Sequence, residues 1–266
     1  MLNLTDAEHL APSYQNAVPF PHIRLDEFID RDVARSIAAA YPSFEEAERV
    51  GKTFSAVNEK KKIQVTEYEA FPEPVKQLSD ALSAPEFIRR LEILTGIDNL
   101  IWDPGFAGGG MHLTASSGHL DVHVDFNYND NLGLHRRLNL LVYLNEGWRP
   151  EWGGAVELWD REVQRCHASV MPELGRAVLF TTSDISFHGV TAVTSPPGIA
   201  RKSFAVYYYT KEAPTGYEGA NHSTIFKARP TEYAKKYVTM PLEQARDRAK
   251  EKVHSLKRVA KSILGR

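Results

Sequence analysis

The chain has 266 residues, of which 42% are hydrophobic and 25% are charged, and its formal net charge is −2. This is the composition of an ordinary globular protein that can bury a sizeable core. The near-neutral charge gives no support to binding of nucleic acid or of an anionic membrane. A single cysteine excludes an intrachain disulfide. Because there is also no secretory signal and no long apolar run, we expect a cytoplasmic protein.

Residues 1–99 are predicted to form a helical or mixed region that packs on the core. The first predicted helix begins at Asp30, a good N-cap residue, and the last one ends at Gly96, a residue that commonly terminates helices. The polar segment 51–70 fits neither a helix nor a strand pattern. The predicted helices are residues 30–42, 72–82 and 83–95.

From about residue 100 the helical periodicity gives way to short strands separated by Gly-rich and Pro-rich turns. Many short strands at this spacing are typical of an all-β sandwich or barrel, which we place at residues 100–212. Residues 213–266 form a C-terminal extension, in which 241–266 have an apolar stripe at helical spacing and a basic opposite face. We expect one structural domain overall. The predicted strands are 119–126, 137–144, 154–160, 163–169, 176–182, 187–193 and 200–210.

The motif HVD at 123–125 is the main indication of chemistry. Alternate residues of a strand share a face, so His123 and Asp125 lie side by side. Their neighbours Leu120, Val122, Val124 and Phe126 are predicted to point the other way, into a core. His188, at the start of a later strand, is the best candidate for a third metal ligand. Two histidines and a carboxylate leave three octahedral positions open, as in non-haem Fe(II) oxygenases. An isolated HxD is common by chance, so the motif alone does not decide between a metal site and ordinary packing.

Arg201 is the second indication of a functional site. In ARKSFAVYYYT, Arg201, Ser203 and Tyr207 share the face opposite Phe204, Val206 and Tyr208. An arginine that points into a barrel of this size requires an anionic partner, because an unpaired buried charge is costly. Its planar guanidinium suits a carboxylate. The partner is either a ligand or an Asp or Glu of the protein, and the sequence leaves both open.

Together these segments resemble the prolyl-4-hydroxylase-like branch of the Fe(II)/2-oxoglutarate-dependent oxygenases. The resemblance covers roughly residues 100–212 and follows the order of segments in that family. It implies a double-stranded β-helix, or jelly roll. We expect the predicted N-terminal helices to support this fold and the predicted C-terminal helix to follow it. The matching segments are GGGMHLTASSGHLDVHVDFN, RRLNLLVYLNEGW, WGGAVELWD, GRAVLFTTSDISFHGV and ARKSFAVYYYT.

The resemblance also implies residue roles. His123, Asp125 and His188 would bind Fe(II), and Arg201 would bind the C5 carboxylate of 2-oxoglutarate. Further co-substrate contacts are expected from Tyr143, Ser203, Asn139 and His112, the last standing where the family often has a tyrosine. Asn127 and Arg136, in the polar loop 127–137 beside the motif, are expected to contact substrate.

The implied reaction is hydroxylation of an unactivated C–H, with O2 as second co-substrate, release of succinate and CO2, and stimulation by ascorbate. Related halogenases replace the carboxylate with a small residue, so Asp125 favours hydroxylation, while desaturation and ring closure stay open. The expected substrate is a prolyl, amino-acid or peptide-like compound. We expect no nucleic-acid or membrane partner. The apolar stripe of the C-terminal helix is expected to pack either on the catalytic core or on a second copy of the chain, which would form a homo-oligomer.

Three alternatives compete with this interpretation. A cupin-like metalloenzyme that does not use 2-oxoglutarate would share the barrel, but Arg201 and Tyr143 argue against it. A catalytically silent binding module is disfavoured by the intact ligand set. An adaptor that acts through its basic tail is disfavoured by the net charge of −2.

Overall fold

The computed structural model describes residues 1–215, 217 and 219–240, apart from the Val238 side chain. It divides the chain into two units, Met1–Phe226 and Lys227–Arg266. The second unit contains a short π-helix at Lys235–Thr239. The helix predicted for residues 241–266, and the contact expected of it with the core or with a second copy, lie outside the described residues. No helix in the described ranges is both long and apolar enough to cross a membrane.

Three of the five α-helices in the described chain were predicted. Asp30 caps α2 by accepting hydrogen bonds from the amides of Asp32 and Val33, at 3.1 and 3.2 Å. Gly96 ends α5 in the left-handed conformation, at φ 70°. The helices α1 and α3 were not predicted. The helices are α1 (Ala7–Gln15), α2 (Arg31–Ala40), α3 (Phe44–Val50), α4 (Glu73–Ser83) and α5 (Pro85–Thr95).

The strands belong to one antiparallel system, and those predicted after residue 100 are confirmed with shorter or longer bounds. They are β1 (His22–Leu25), β2 (Lys52–Ser55), β3 (Glu59–Val65), β4 (Ile101–Trp102), β5 (Gly110–Val124), β6 (Tyr128–Asn129), β7 (Leu134–Tyr143), β8 (Val156–Trp159), β9 (Cys166–Val170), β10 (Ala177–Thr181), β11 (His188–Val190), β12 (Arg201–Thr210) and β13 (Ile225–Lys227). The polar segment 51–70, which fitted no pattern, supplies the hairpin of β2 and β3.

The long strand β5 joins two parts of the sheet. The strand order is β1-β10-β7-β12-β5-β11-β8-β9, and β3 also pairs with β5. The first half of β5 lies between β3 and β12, whereas the second half pairs with β11. Gly110 opens β5 at φ 87°, and a Cβ there would collide with the carbonyl oxygen of Val65. The sheet therefore folds over along β5, which leaves a concave face lined by both halves.

The main core lies on the outer face of this sheet. Helical residues such as Ile37, Leu78 and Leu91 pack there against Leu140 and Phe204 of the central strands. A smaller cluster contains Val122 and Val124 of β5 together with Trp159 and Phe187. Burial of these alternate residues, which is the main source of stability, turns the intervening side chains of β5 and β12 towards the concave face.

Buried tyrosines predict a specific loss of stability at high pH. Burial raises the pKa of Tyr143 and of Tyr209 from 10.0 to about 12. Between these values the unfolded chain releases protons that the folded chain retains, so stability is complete below about pH 10 and falls towards pH 12. At about 1.4 kcal/mol per unit, each residue contributes roughly 3 kcal/mol to this loss.

Denaturant unfolding measured from pH 8 to pH 12 checks this expectation. The unfolding midpoint should fall steeply above pH 10, and phenolate absorbance of the buried tyrosines should appear together with loss of circular dichroism. Tyr143→Phe should make the decline shallower. Buried phenols that ionise near pH 10 while the fold persists would contradict the expectation.

Candidate metal and co-substrate site

Three side chains that could hold a metal meet at the concave face. His123 on β5 is paired directly with His188 on β11, and Asp125 follows the end of β5. The candidate ligand atoms of the three residues lie within 4.8 Å of one another. Nε2 of His123 is 3.4 Å from Oδ1 of Asp125, and Nε2 of His188 is 3.4 Å from Oδ2. Two imidazole nitrogens and one carboxylate oxygen converge here, which is a donor set suited to Fe(II).

Backbone carbonyls fix the orientation of both imidazole rings. Nδ1 of His123 lies 2.8 Å from the carbonyl oxygen of Asp121, and Nδ1 of His188 lies 2.9 Å from that of Ser186. Each carbonyl accepts the Nδ1 proton, which leaves a lone pair on each Nε2 directed at the other two residues. Both rings are therefore held in the tautomer that a metal requires.

The Asp125 carboxylate is held by two neighbours on β7. Asn139 donates its side-chain amide to Oδ2 at 2.8 Å, and Arg136 approaches the same oxygen at 3.1 Å. Arg136 also donates through Nε to Oδ1 of Asn139 at 2.9 Å. Its guanidinium carbon lies 3.5 Å from the ring centre of Tyr207 and 4.7 Å from that of Phe126. This arrangement satisfies Oδ2 and leaves Oδ1 facing the His123 side of the site.

The protonation states agree with metal binding. Burial acts to raise the pKa of Asp125, but Arg136 and the two imidazoles outweigh it and hold that pKa well below its usual range. Burial, followed by the proximity of His123, lowers the pKa of His188 to about 4. At neutral pH Asp125 is therefore ionised and His188 is neutral, the forms in which these groups bind metals.

Arg201 is buried at the start of β12, with 4% of its surface exposed. Its Nε donates to the carbonyl oxygen of Gly154 at 2.7 Å, and Nη1 donates to Oγ of Ser203 at 3.2 Å. A Cβ on Gly154 would lie 2.9 Å from Cδ of Arg201, so the arginine fits only against a glycine. Among the described residues no carboxylate pairs with this guanidinium, and burial lowers its pKa. A buried cation of this kind is stabilised by an anionic ligand.

Strand pairing places the other expected co-substrate residues around Arg201. Tyr143 and His112 are the neighbours of Ser203 on β7 and β5, respectively. The Tyr143 ring lies 5.0 Å from the guanidinium carbon, and its buried hydroxyl faces Arg201, which can donate a hydrogen bond to it. Burial, then Lys62 and Arg201, lowers the pKa of His112 well below its usual value. His112 is therefore a neutral polar group beside a cation, in the place expected from the sequence.

One cavity of about 320 Å³ connects the two groups of residues. His123, Asp125 and His188 line it together with Arg201 and Ser203. The cavity can thus hold a metal ion at one end and the far carboxylate of a chelating ligand at the other. Such an arrangement fits a small diacid that binds the metal and Arg201 simultaneously.

Residues 109–209 match the model of the 2OG-Fe(II) oxygenase superfamily. This segment is a 2OG-Fe(II) oxygenase domain. The identification made from the motifs is confirmed, and Fe(II) and 2-oxoglutarate are the cofactor and co-substrate of this enzyme class. Comparison with curated protein sequences gave no match.

Solved structures share the fold of the oxygenase. A prolyl-4-hydroxylase from Pseudomonas putida matches with a TM-score of 0.55 and 16% identity, over 77% of this chain and 98% of its own. A prolyl hydroxylase from Trichoplax adhaerens, in complex with a hypoxia inducible factor peptide fragment, matches with a TM-score of 0.56 and 16% identity, over 77% of this chain and 89% of its own. The epimerase SnoN, in complex with Fe3+, alpha ketoglutarate and nogalamycin RO, matches with a TM-score of 0.52 and 14% identity, over 84% of this chain and 94% of its own. The predicted jelly roll is confirmed.

Two residues expected to contact substrate in the oxygenase have other partners. Arg136 lines the cavity but is engaged with Asp125. Asn127 donates to the Tyr217 hydroxyl at 2.6 Å and accepts from the His222 amide at 2.9 Å. Nε2 of His222 also lies 3.0 Å from Oδ1 of Asp184. These contacts hold a segment that we call the strap, residues 219–226 with Tyr217, over the site.

Sequence reasoning missed part of the cavity wall and misplaced one residue, Leu120. Phe226 of the strap packs against the His123 ring, at 5.4 Å between ring centres, and no periodicity in this segment indicated that contact. Leu120 was expected in the core but lines the cavity, whereas Phe126 lines the cavity and also packs against a hydrophobic cluster that includes Tyr207. Leu120 differs because the register of β5 with β11 shifts between His188 and Val190, the partners of His123 and Leu120. Further cavity residues not predicted are Phe54, Glu59, Lys62, Gln64, Thr114 and Thr224.

Proposed function

We propose that His123, Asp125 and His188 bind Fe(II), that Arg201 binds the C5 carboxylate of 2-oxoglutarate, and that the enzyme hydroxylates an unactivated C–H of a prolyl, amino-acid or peptide-like substrate. The products released are succinate and CO2. The observation that most favours this proposal is the buried Arg201, without a protein carboxylate, in one cavity with a His-Asp-His triad. A cupin-like enzyme without 2-oxoglutarate would need no such arginine.

The residues around the triad and Arg201 have separate tasks in this proposal. Bound Fe(II) supplies the activation of O2 that C–H hydroxylation requires. Arg201 and Ser203 orient the diacid, and the Tyr143 hydroxyl, which faces Arg201, donates its proton to the same carboxylate. Asn139 and Arg136 fix Asp125, so that one of its oxygens is available to the metal. Phe226 and the strap cover His123 and restrict the access of water.

The substrate class rests on likeness alone. Two of the similar structures are prolyl hydroxylases, and one of these was solved with a peptide fragment. Because the identities are low, we propose a prolyl, amino-acid or peptide-like substrate without choosing among them on this ground. Stimulation by ascorbate and a cytoplasmic location stay predictions.

The test is an anaerobic titration of the purified protein with Fe(II) and 2-oxoglutarate. A visible charge-transfer band should appear when both are present and not with either alone. His167→Ala, which changes an exposed histidine on β9, is the matched control and should keep the band. Iron binding without a band in the wild type would overturn the proposal and favour the cupin-like alternative.

Asn139→Leu is expected to weaken binding of Fe(II) by about tenfold or more, because loss of an outer-shell partner typically costs metal affinity on that scale. The variant keeps the charge of Arg136 and removes the amide that orients Asp125. Anaerobic metal titration measures the effect, and thermal unfolding of the metal-free protein checks the fold. Unchanged affinity in a folded variant would show that Asp125 needs no such support.

A further inference from the structure

The cavity contains one ion pair that neither the metal nor the co-substrate requires. Nζ of Lys62 lies 2.7 Å from Oε1 of Glu59, and their side chains are only 14% and 16% exposed. Both residues line the same cavity as the His-Asp-His triad. Removing two charges from water is costly, and an apolar pair would serve packing at least as well. The placement of this pair on a ligand-facing wall therefore suggests a binding role.

Strand pairing locates the ion pair relative to the triad. Glu59 is paired with Leu120 on β5, and Leu120 is paired with Val190 on β11. Lys62 is paired with Thr114 on β5, which is also the partner of Arg201. The ion pair therefore lies along the stretch of β5 between Arg201 and the triad, where a small molecule in the cavity can contact both the ion pair and the triad.

The other cavity charges are already engaged. Arg136 contacts Asp125, and Arg201 is proposed to bind 2-oxoglutarate. Between the ion pair and the triad the wall is mainly apolar, with Leu120, Val190 and Phe226. Phe54, which lies 5.2 Å from Nζ of Lys62, closes the outer side. His119 also lines this wall, and its Nε2 lies 3.1 Å from the carbonyl oxygen of Val57. Beside it, this part of the cavity offers one negative group, one positive group and an apolar surface.

The strap limits the size of a molecule that can bind in the cavity. Thr224 and Phe226 line the cavity, and Asn127 and Asp184 hold the strap through the hydrogen bonds described above. A volume of about 320 Å³ is small for a ligand site and has to accommodate 2-oxoglutarate as well. A free small molecule fits this space better than a polypeptide that would have to pass through it.

We propose that the substrate is a free zwitterion of amino-acid size, whose ammonium group binds Glu59 and whose carboxylate binds Lys62. This inference rests on the proposed function and narrows its substrate class. On binding, the ligand replaces one protein ion pair with two protein–ligand ion pairs, so that neither buried charge loses its partner.

The test is calorimetric titration of the Mn(II)- and 2-oxoglutarate-loaded protein, without oxygen, with each proteinogenic L-amino acid. At least one free amino acid should bind, and its N-acetyl and carboxamide derivatives should each bind at least about tenfold more weakly, as expected for loss of a charged hydrogen bond. Absence of binding by every free amino acid, or equal affinity for the blocked derivatives, would overturn the inference.

Two isosteric variants test which group of the ligand each charged side chain binds. Glu59→Gln should lose the discrimination against the N-acetyl derivative, and Lys62→Met should lose the discrimination against the carboxamide. Lys60→Met, an exposed change on the same strand, should keep both and is the matched control. Discrimination that persists in both variants would overturn the assignment. If the charge-transfer band forms but no amino acid binds, the inference of a zwitterionic substrate alone is wrong. If the band does not form, the proposed function is wrong.

Discussion

Asp125→Ala should reduce the affinity for Fe(II) by at least about 100-fold, more than the loss of an outer-shell partner costs, and should abolish the charge-transfer band. The substitution removes the one carboxylate of the triad. It also leaves Arg136 buried without its anionic partner, which is expected to cost about 3 kcal/mol of stability. Anaerobic metal titration and denaturant unfolding measure the two effects.

The double variant Asp125→Ala/Arg136→Met separates loss of metal binding from loss of stability. Removing the unpaired cation should restore most of the lost stability, while the affinity for Fe(II) stays low. If the single variant bound Fe(II) as tightly as the wild type, the proposed ligand set would be wrong. If the double variant were less stable than Asp125→Ala, the destabilisation would have another cause than the uncompensated charge.

Arg201→Met should weaken binding of 2-oxoglutarate by about 100-fold or more, since truncating one partner of a buried charge pair costs several kcal/mol. The affinity for Fe(II) should change little, because Arg201 is not a member of the triad. The metal-free variant should be at least as stable as the wild type, because a buried cation with no protein carboxylate has been removed. Titration of the band with 2-oxoglutarate gives the affinity.

Arg201→Lys is the matched control for charge. Lysine keeps the positive charge but loses the planar donor pair, so its affinity for 2-oxoglutarate should fall between those of the wild type and Arg201→Met. Equal affinity in all three proteins would exclude Arg201 from the co-substrate site. Reduced binding of Fe(II) in Arg201→Met would indicate a structural role for the arginine instead.

Local patterns were sufficient for the elements with strong signals. The Asp30 cap and the Gly96 stop depend on a few adjacent residues, and both helix ends are where the sequence places them. Alternation in β12 correctly separated Arg201 and Ser203 from Phe204. The hairpin of β2 and β3 was not predicted, because its residues are mostly polar and its stability depends on pairing with β5.

In the candidate site, too, the residues specified by local motifs were predicted, and those that depend on distant contacts were not. The residues expected at the triad and around Arg201 do converge, since short motifs in neighbouring strands specify them. The partners of Asn127 and Arg136 could not be read from the sequence, because they depend on where the strap and β7 lie in space. Leu120 was misplaced because strict alternation assumes a regular strand, and the pairing of β5 with β11 shifts between Leu120 and His123.

The two ends of the proposed co-substrate site are connected by one continuous strand. Thr114 of β5 is paired with Arg201, and His123 of the same strand is paired with His188. The distance between the backbone positions that carry the triad and the arginine is therefore set by the number of residues in β5. Because side chains alternate along a strand, inserting one residue between Thr114 and His123 would turn His123 and Asp125 away from Arg201. The length of β5 thus keeps the triad and the arginine on the same face of the sheet.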